Sequence, residues 1–193
     1  MTQTKKATAK KLTLLKRLCK IGTNINVRTE LHGEEPVPAC DIALKGVLLS
    51  KAELNVLLGD ERAYDALYLD RDGTPEPLFA KCLKPFALID RFEGATVKLT
   101  LADDDVELEL EDVKLANLKL EPQVGGLTSL SMQIQAIPTS EARSQIIAFV
   151  DSQVHAAISF GQRSEKDKRQ QELPMGENVL EFPGAGDGEQ TQS

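Results

Sequence analysis

Between residues 94 and 137, apolar side chains fall on every second position. Val97, Leu99 and Leu101 alternate with polar neighbours, and so do Val106, Leu108 and Leu110. Val113 and Leu115 follow, then Leu118 and Leu120, then Leu130, Met132, Ile134 and Ala136. A period of two is the repeat of a half-buried strand, and an α-helix cannot gather it onto one face. The segment therefore predicts a series of antiparallel strands, turning at Asp103–Asp105 and at Gln123–Gly126. The phase changes near Ala116 and Asn117, where a bulge would account for it.

The flanks read less uniformly. Residues 24–31 predict a strand through Ile25 and Val27, followed by a Pro-bearing turn at Gly33–Pro38 and a second strand over 39–49, interrupted at Gly46. Residues 8–20 predict a basic amphipathic helix with Leu12, Leu15 and Cys19 on one side, although Leu12 and Leu14 also alternate like a strand. Ser50-Lys51-Ala52-Glu53 is a capping box, with Ser50 and Glu53 each satisfying a backbone N–H of the other, so a short helix is expected over 51–58 with Gly59 as its stop. A further helical turn is expected around 61–68. Asp70-Arg71-Asp72-Gly73 reads as an Asx-turn rather than half of a calcium loop. Ile146, Val150, Val154 and Ile158 recur every four residues, which predicts a long helix over 139–160, capped by Thr139 or Ser140 and ended by Gly161. The sum is an α+β domain: an antiparallel sheet curled toward a small barrel, with the long C-terminal helix packed over one face. Residues 1–22 form a basic arm or helix on this reading, 23–162 the domain, and 163–193 a disordered, acidic, polar tail.

Charge is distributed unevenly. The net charge is −7, yet residues 1–28 hold eight basic side chains and no acid: Lys5, Lys6, Lys10, Lys11, Lys16, Arg17, Lys20 and Arg28. Residues 170–193 hold five acids and no base. Such asymmetry points to an electrostatic partner for the basic end. A polycationic arm neutralising phosphates releases counterions, which predicts steep salt dependence. The same arm also has a plain reading, as a solvated segment that aids solubility.

Other classes find little support. No apolar run approaches the 18–20 residues of a spanning helix, so no membrane partner is expected. No secretory signal is expected either, because no apolar core follows the positive start. Cys19, Cys40 and Cys82 are too few for a disulfide framework and fit a reducing, cytoplasmic compartment. His32 and His155 stand apart, no Cys-x-x-Cys occurs, and phosphate-loop and nucleophile-elbow spacings are missing, so no metal, cofactor or enzymatic activity is expected. Aromatics are sparse, with two Tyr, six Phe and no Trp. Phe86 and Phe92 are the candidates to stack on bases, with a core role favoured.

Two segments, Leu31 to Leu44 (LHGEEPVPACDIAL) and Leu120 to Leu127 (LEPQVGGL), resemble a group of small tailed-phage proteins found in replication and recombination modules. The resemblance spans about residues 24–138 and implies single-stranded-DNA binding, with a recombinase or another replication protein as a further partner. It carries no functional residue onto this chain. The expected function is therefore non-catalytic binding of single-stranded DNA, with Lys5, Lys6, Lys10, Lys11, Lys16, Arg17, Lys20 and Arg28 as phosphate contacts. The alternative is a phage assembly component or host-factor binder acting through protein–protein contacts. Oligomerisation is compatible with either.

Overall fold

Ten strands and two short helices follow one another in a computed structural model that describes residues 11–32, 34–78, 85–102 and 106–164. β1 (Thr13–His32) and β2 (Glu35–Leu49) form a long hairpin. α1 (Lys51–Leu58) follows, then the small β3–β4 hairpin (Tyr68–Arg71 and Thr74–Pro77) and the two-residue β5 (Phe86–Ala87). β6 (Arg91–Leu101), β7 (Glu107–Pro122) and β8 (Thr128–Ala136) are the alternating centre. α2 (Ser140–Ile146), a 3₁₀ turn (Ile147–Phe149), β9 (Gln153–Ser159) and β10 (Gln162–Ser164) complete the described chain.

Six strands pair in a ring. β1 pairs with β2 and β9, β2 with β8, β8 with β7, β7 with β6, and β6 with β9, all antiparallel. The ring of pairings makes a barrel, and its strands divide their length between neighbours. β1 pairs with β9 through Thr13–Lys20 and with β2 from Lys20 onward.

Bending strands this sharply needs extra residues at set points. Five strand residues sit in the left-handed region: Lys16, Gly46, Gly94, Asp112 and Asn117. Each coincides with a shift of register, at Leu14/Arg17, Leu44/Val47, Phe92/Ala95, Ala95/Val97 and Ala116/Lys119 respectively. The predicted slip at Ala116-Asn117 is one of these five bulges.

The inward side chains fill the barrel. Leu14, Ile21, Leu44, Val47, Val97, Leu99, Leu115, Leu130, Ile134 and Ile158 are fully buried. Phe92 meets Phe160 edge to face, with centroids 5.0 Å apart, and Phe149 is buried in the same core. The capping box forms as expected: Glu53 N–H donates to the Ser50 hydroxyl, and Ser50 N–H donates to the Glu53 carboxylate at 2.8 Å. Leu54 and Leu57 pack α1 on the core, and Gly59 ends it. Asp70 accepts from Gly73 N–H at 2.9 Å, so the Asx-turn is present, but it closes the β3–β4 hairpin rather than a loop.

The α+β expectation is corrected: the described chain is mostly antiparallel sheet, with no long C-terminal helix. Residues 139–160 divide into α2, a 3₁₀ turn and β9: the backbone turns extended at Val150 (ψ 131°) and left-handed at Asp151 (φ 58°), so the helical run ends at Phe149. Beyond it Val154, Ala156 and Ile158 point inward with period two. Residues 8–20 are not a helix where they are described, since Thr13 onward is β1. Arg163 and Ser164, expected in the tail, belong to β10, and the rest of the expected tail lies outside the described residues, as do Cys82 and the Asp103–Asp105 turn.

Candidate nucleic-acid interface

The expected phosphate contacts separate into three groups. Lys5, Lys6 and Lys10 lie outside the described residues. Lys11, just ahead of β1, and Lys16, on its first bulge, are exposed. Arg17, Lys20 and Arg28 already have carboxylate partners. Arg17 Nη2 lies 2.5 Å from Glu53 Oε1, joining β1 to the capping box of α1. Lys20 Nζ lies 2.8 Å from Asp151 Oδ1. Arg28 pairs with both Glu30 and Asp41.

These pairs leave marks on protonation. Burial opposes the Glu53 charge, but hydrogen bonds from the Ser50 N–H and hydroxyl and from Arg17 outweigh it, so the carboxyl is held below its ordinary range. Burial likewise works against the Arg28 charge, and its bonds to Glu30 and Asp41 raise the guanidinium above its usual value. Arg17 and Arg28 are thus integral to the fold rather than free to grip a polyanion.

The register instead assembles a row of lysines that no local pattern announces. Lys20 of β1 stands directly opposite Lys45 of β2. Between the Leu44–Met132 and Val47–Leu130 pairs, Lys45 and the Gly46 bulge face Ser131 of β8. Ser131 is in turn the register partner of Lys119 on β7. All three lysines are exposed, and their neighbours Ile21, Leu44, Leu118 and Leu120 are buried inward. The row therefore crosses the outer face of four strands, about 14–15 Å at the usual strand spacing.

Beside the row lies an open groove of about 530 Å³, lined by Lys45 and Lys119, by the polar Asn24, Asn26, Asp41, Asn117, Ser131 and Gln133, and by the apolar Ile25, Ala43, Leu44 and Met132. Asn117 Nδ2 donates to Gln133 Oε1 at 2.5 Å, and Asn26 Nδ2 to Asp41 Oδ2 at 3.3 Å. Arg28 pairs with Asp41, the acid in the groove's lining, which leaves the lysines as its unpaired charges among the described residues. Neither Lys45 nor Lys119 makes an ion pair among the described residues. Like charges placed directly opposite on a sheet cost stability. An anion lying along the row removes that cost, and the amides beside it offer donors and acceptors to whatever the anion carries.

No aromatic lines the groove. Phe92 is buried against Phe160, and Phe86 packs against the core, so both fill the fold and neither is a stacking platform. His155, expected on a helix, lies on β9 with its Nδ1 buried and unpartnered, and His32 closes β1. Among the described residues no group of three metal-ligating side chains converges, and no helix is long and apolar enough to cross a membrane. Comparison with protein-family models, with curated proteins and with solved structures found no match to this chain.

Proposed function

We propose that the protein binds single-stranded DNA on the outer face of β1, β2, β8 and β7. The observation that carries this reading is the Lys20–Lys45–Lys119 row beside a groove that presents four side-chain amides. Three ammonium groups in line suit successive phosphates of one flexible strand. The Asn24, Asn26, Asn117 and Gln133 amides suit base edges, which a single strand exposes and a duplex hides within its grooves. Lys11 and Lys16 extend the positive potential along β1. With no aromatic in the groove, affinity rests on phosphates and falls steeply with salt. The resemblance to tailed-phage proteins supports a role in recombination or replication in the cytoplasm, beside a recombinase or another replication protein.

The test is a competition gel shift. A labelled oligonucleotide should be retarded at low salt, released at high salt, and displaced by unlabelled single strands far better than by duplex. Equal displacement by duplex contradicts the single-strand reading, and no retardation at low salt contradicts DNA binding altogether.

A further inference from the structure

Beyond Gly22 the hairpin leaves the barrel. Among the described residues, β1 from Ile25 to His32 pairs only with β2, and β8 joins β2 only from Cys40 onward. Beyond Val27 and Cys40 the result is a two-stranded ribbon, and the outer edge of β1 is open from Ile25 to His32 among the described residues. The β2 edge is blunted by Pro36 and Pro38, which have no N–H to offer. β1 contains no proline. Its edge carries Val27 at 70% and Leu31 at 75% exposure, so the described residues leave both largely uncovered.

The edge sequence is complementary to itself. Antiparallel pairing about a two-fold axis at Thr29 sets Val27 of one copy against Leu31 of the other, and Arg28 against Glu30. Each apolar residue then gains an apolar partner, and Arg28 and Glu30, already paired within one chain, each face an opposite charge across the contact, which is what an isologous contact requires. Glu30 is 41% exposed on its side chain and therefore reachable from a second copy. We infer that β1 pairs with β1 of a second copy through residues 26–32, making a two-fold symmetric dimer whose sheet continues from one protomer into the other. This contact does not depend on the DNA-binding reading.

Charge exchange tests it in sedimentation equilibrium of the full chain without nucleic acid. The wild type should dimerise by about 100 μM, as expected of a small, reversible interface. Glu30→Arg sets Arg against Arg, and Arg28→Glu sets Glu against Glu, so each variant alone should associate at least about tenfold more weakly. Mixed in equal amounts they should recover the dimer, because every cross-strand pair is again opposite in sign. Leu31→Glu alters only an exposed side chain and should also weaken association about tenfold with an unchanged circular dichroism spectrum. It keeps the test decisive if Arg28→Glu unsettles Asp41. A monomeric wild type at that concentration, Leu31→Glu or Glu30→Arg dimerising like the wild type, or a mixture of folded charge variants that stays monomeric each overturns the inference.

Discussion

Replacing Lys45 with Glu should make the protein more stable and a poorer DNA binder, and that opposition of signs is diagnostic. Lys20 and Lys45 are cross-strand partners. Two unit charges about 6 Å apart repel by about 0.7 kcal/mol in a water-like dielectric. Lys20 shares its charge with Asp151, and both of those side chains are about half exposed, so the repulsion actually present is smaller. Lys45→Glu turns it into an attraction, a swing of about 0.5–1 kcal/mol. For a domain of this size that raises Tm by about 1–4 °C. The same substitution removes the middle cation of the row and puts a carboxylate beside Lys119. Affinity for a single strand at low salt should fall at least about tenfold, or 1.4 kcal/mol, and the salt slope should shrink by about 0.7. Thermal unfolding followed by circular dichroism, with fluorescence anisotropy of a labelled oligonucleotide, reads both. A loss of stability would refute the register that sets the two lysines together, and unchanged affinity would refute the role of this face.

Other predictions concern the frame that holds the face in place. The Glu53 carboxyl is held below its ordinary range, so its contribution is complete above the unfolded carboxyl pKa and fades as pH falls through the folded value. Urea midpoints taken from neutral pH down to about pH 3 should therefore fall less for Glu53→Gln than for the wild type. Asn117 sits at φ 52° on the β7 bulge, so Asn117→Val should cost about 1–2 kcal/mol in denaturant unfolding while Asn117→Gly is nearly neutral. A Cβ at Gly161 would lie 1.8 Å from the Glu93 carbonyl oxygen, so Gly161→Ala should part β10 from β6 and lower the urea midpoint markedly. Burial pushes the Cys19 thiol up to about 12, a backbone hydrogen bond from Ala156 offsetting it only partly. Cys19 and the buried Cys40 should both resist alkylation at mildly alkaline pH until denaturant is added, as peptide mass mapping would show.

Local patterns were legible where one rule acted alone. The alternation over 94–137 named β6, β7 and β8, Ser50 and Glu53 named α1, and Asp70 named its turn. The misreadings arose where two periods coincide. Ile146, Val150, Val154 and Ile158 are four apart, which satisfies a helix, but every second step of a strand falls on the same residues. Asp151 then separates a helical turn from a strand within that run. In β1 the bulge at Lys16 shifts the phase between Leu14 and Cys19, which hides one strand behind an apparently helical pattern. The candidate site was less legible still. Lys45 and Lys119 join Lys20 only through strand register, and Arg17, Lys20 and Arg28 find carboxylates at Glu53, Asp151 and Asp41 that no window of sequence places beside them. A count of basic residues near one end weighs all of them alike.

The most direct test compares the wild type with a variant carrying Lys20→Gln, Lys45→Gln and Lys119→Gln. Each is titrated with a labelled single strand over a series of salt concentrations. Three lost phosphate contacts should flatten the plot of log affinity against log salt by about two, with the circular dichroism spectrum unchanged. A variant that binds as tightly and as salt-dependently as the wild type, or a wild type that leaves the oligonucleotide free even in dilute buffer, contradicts the account.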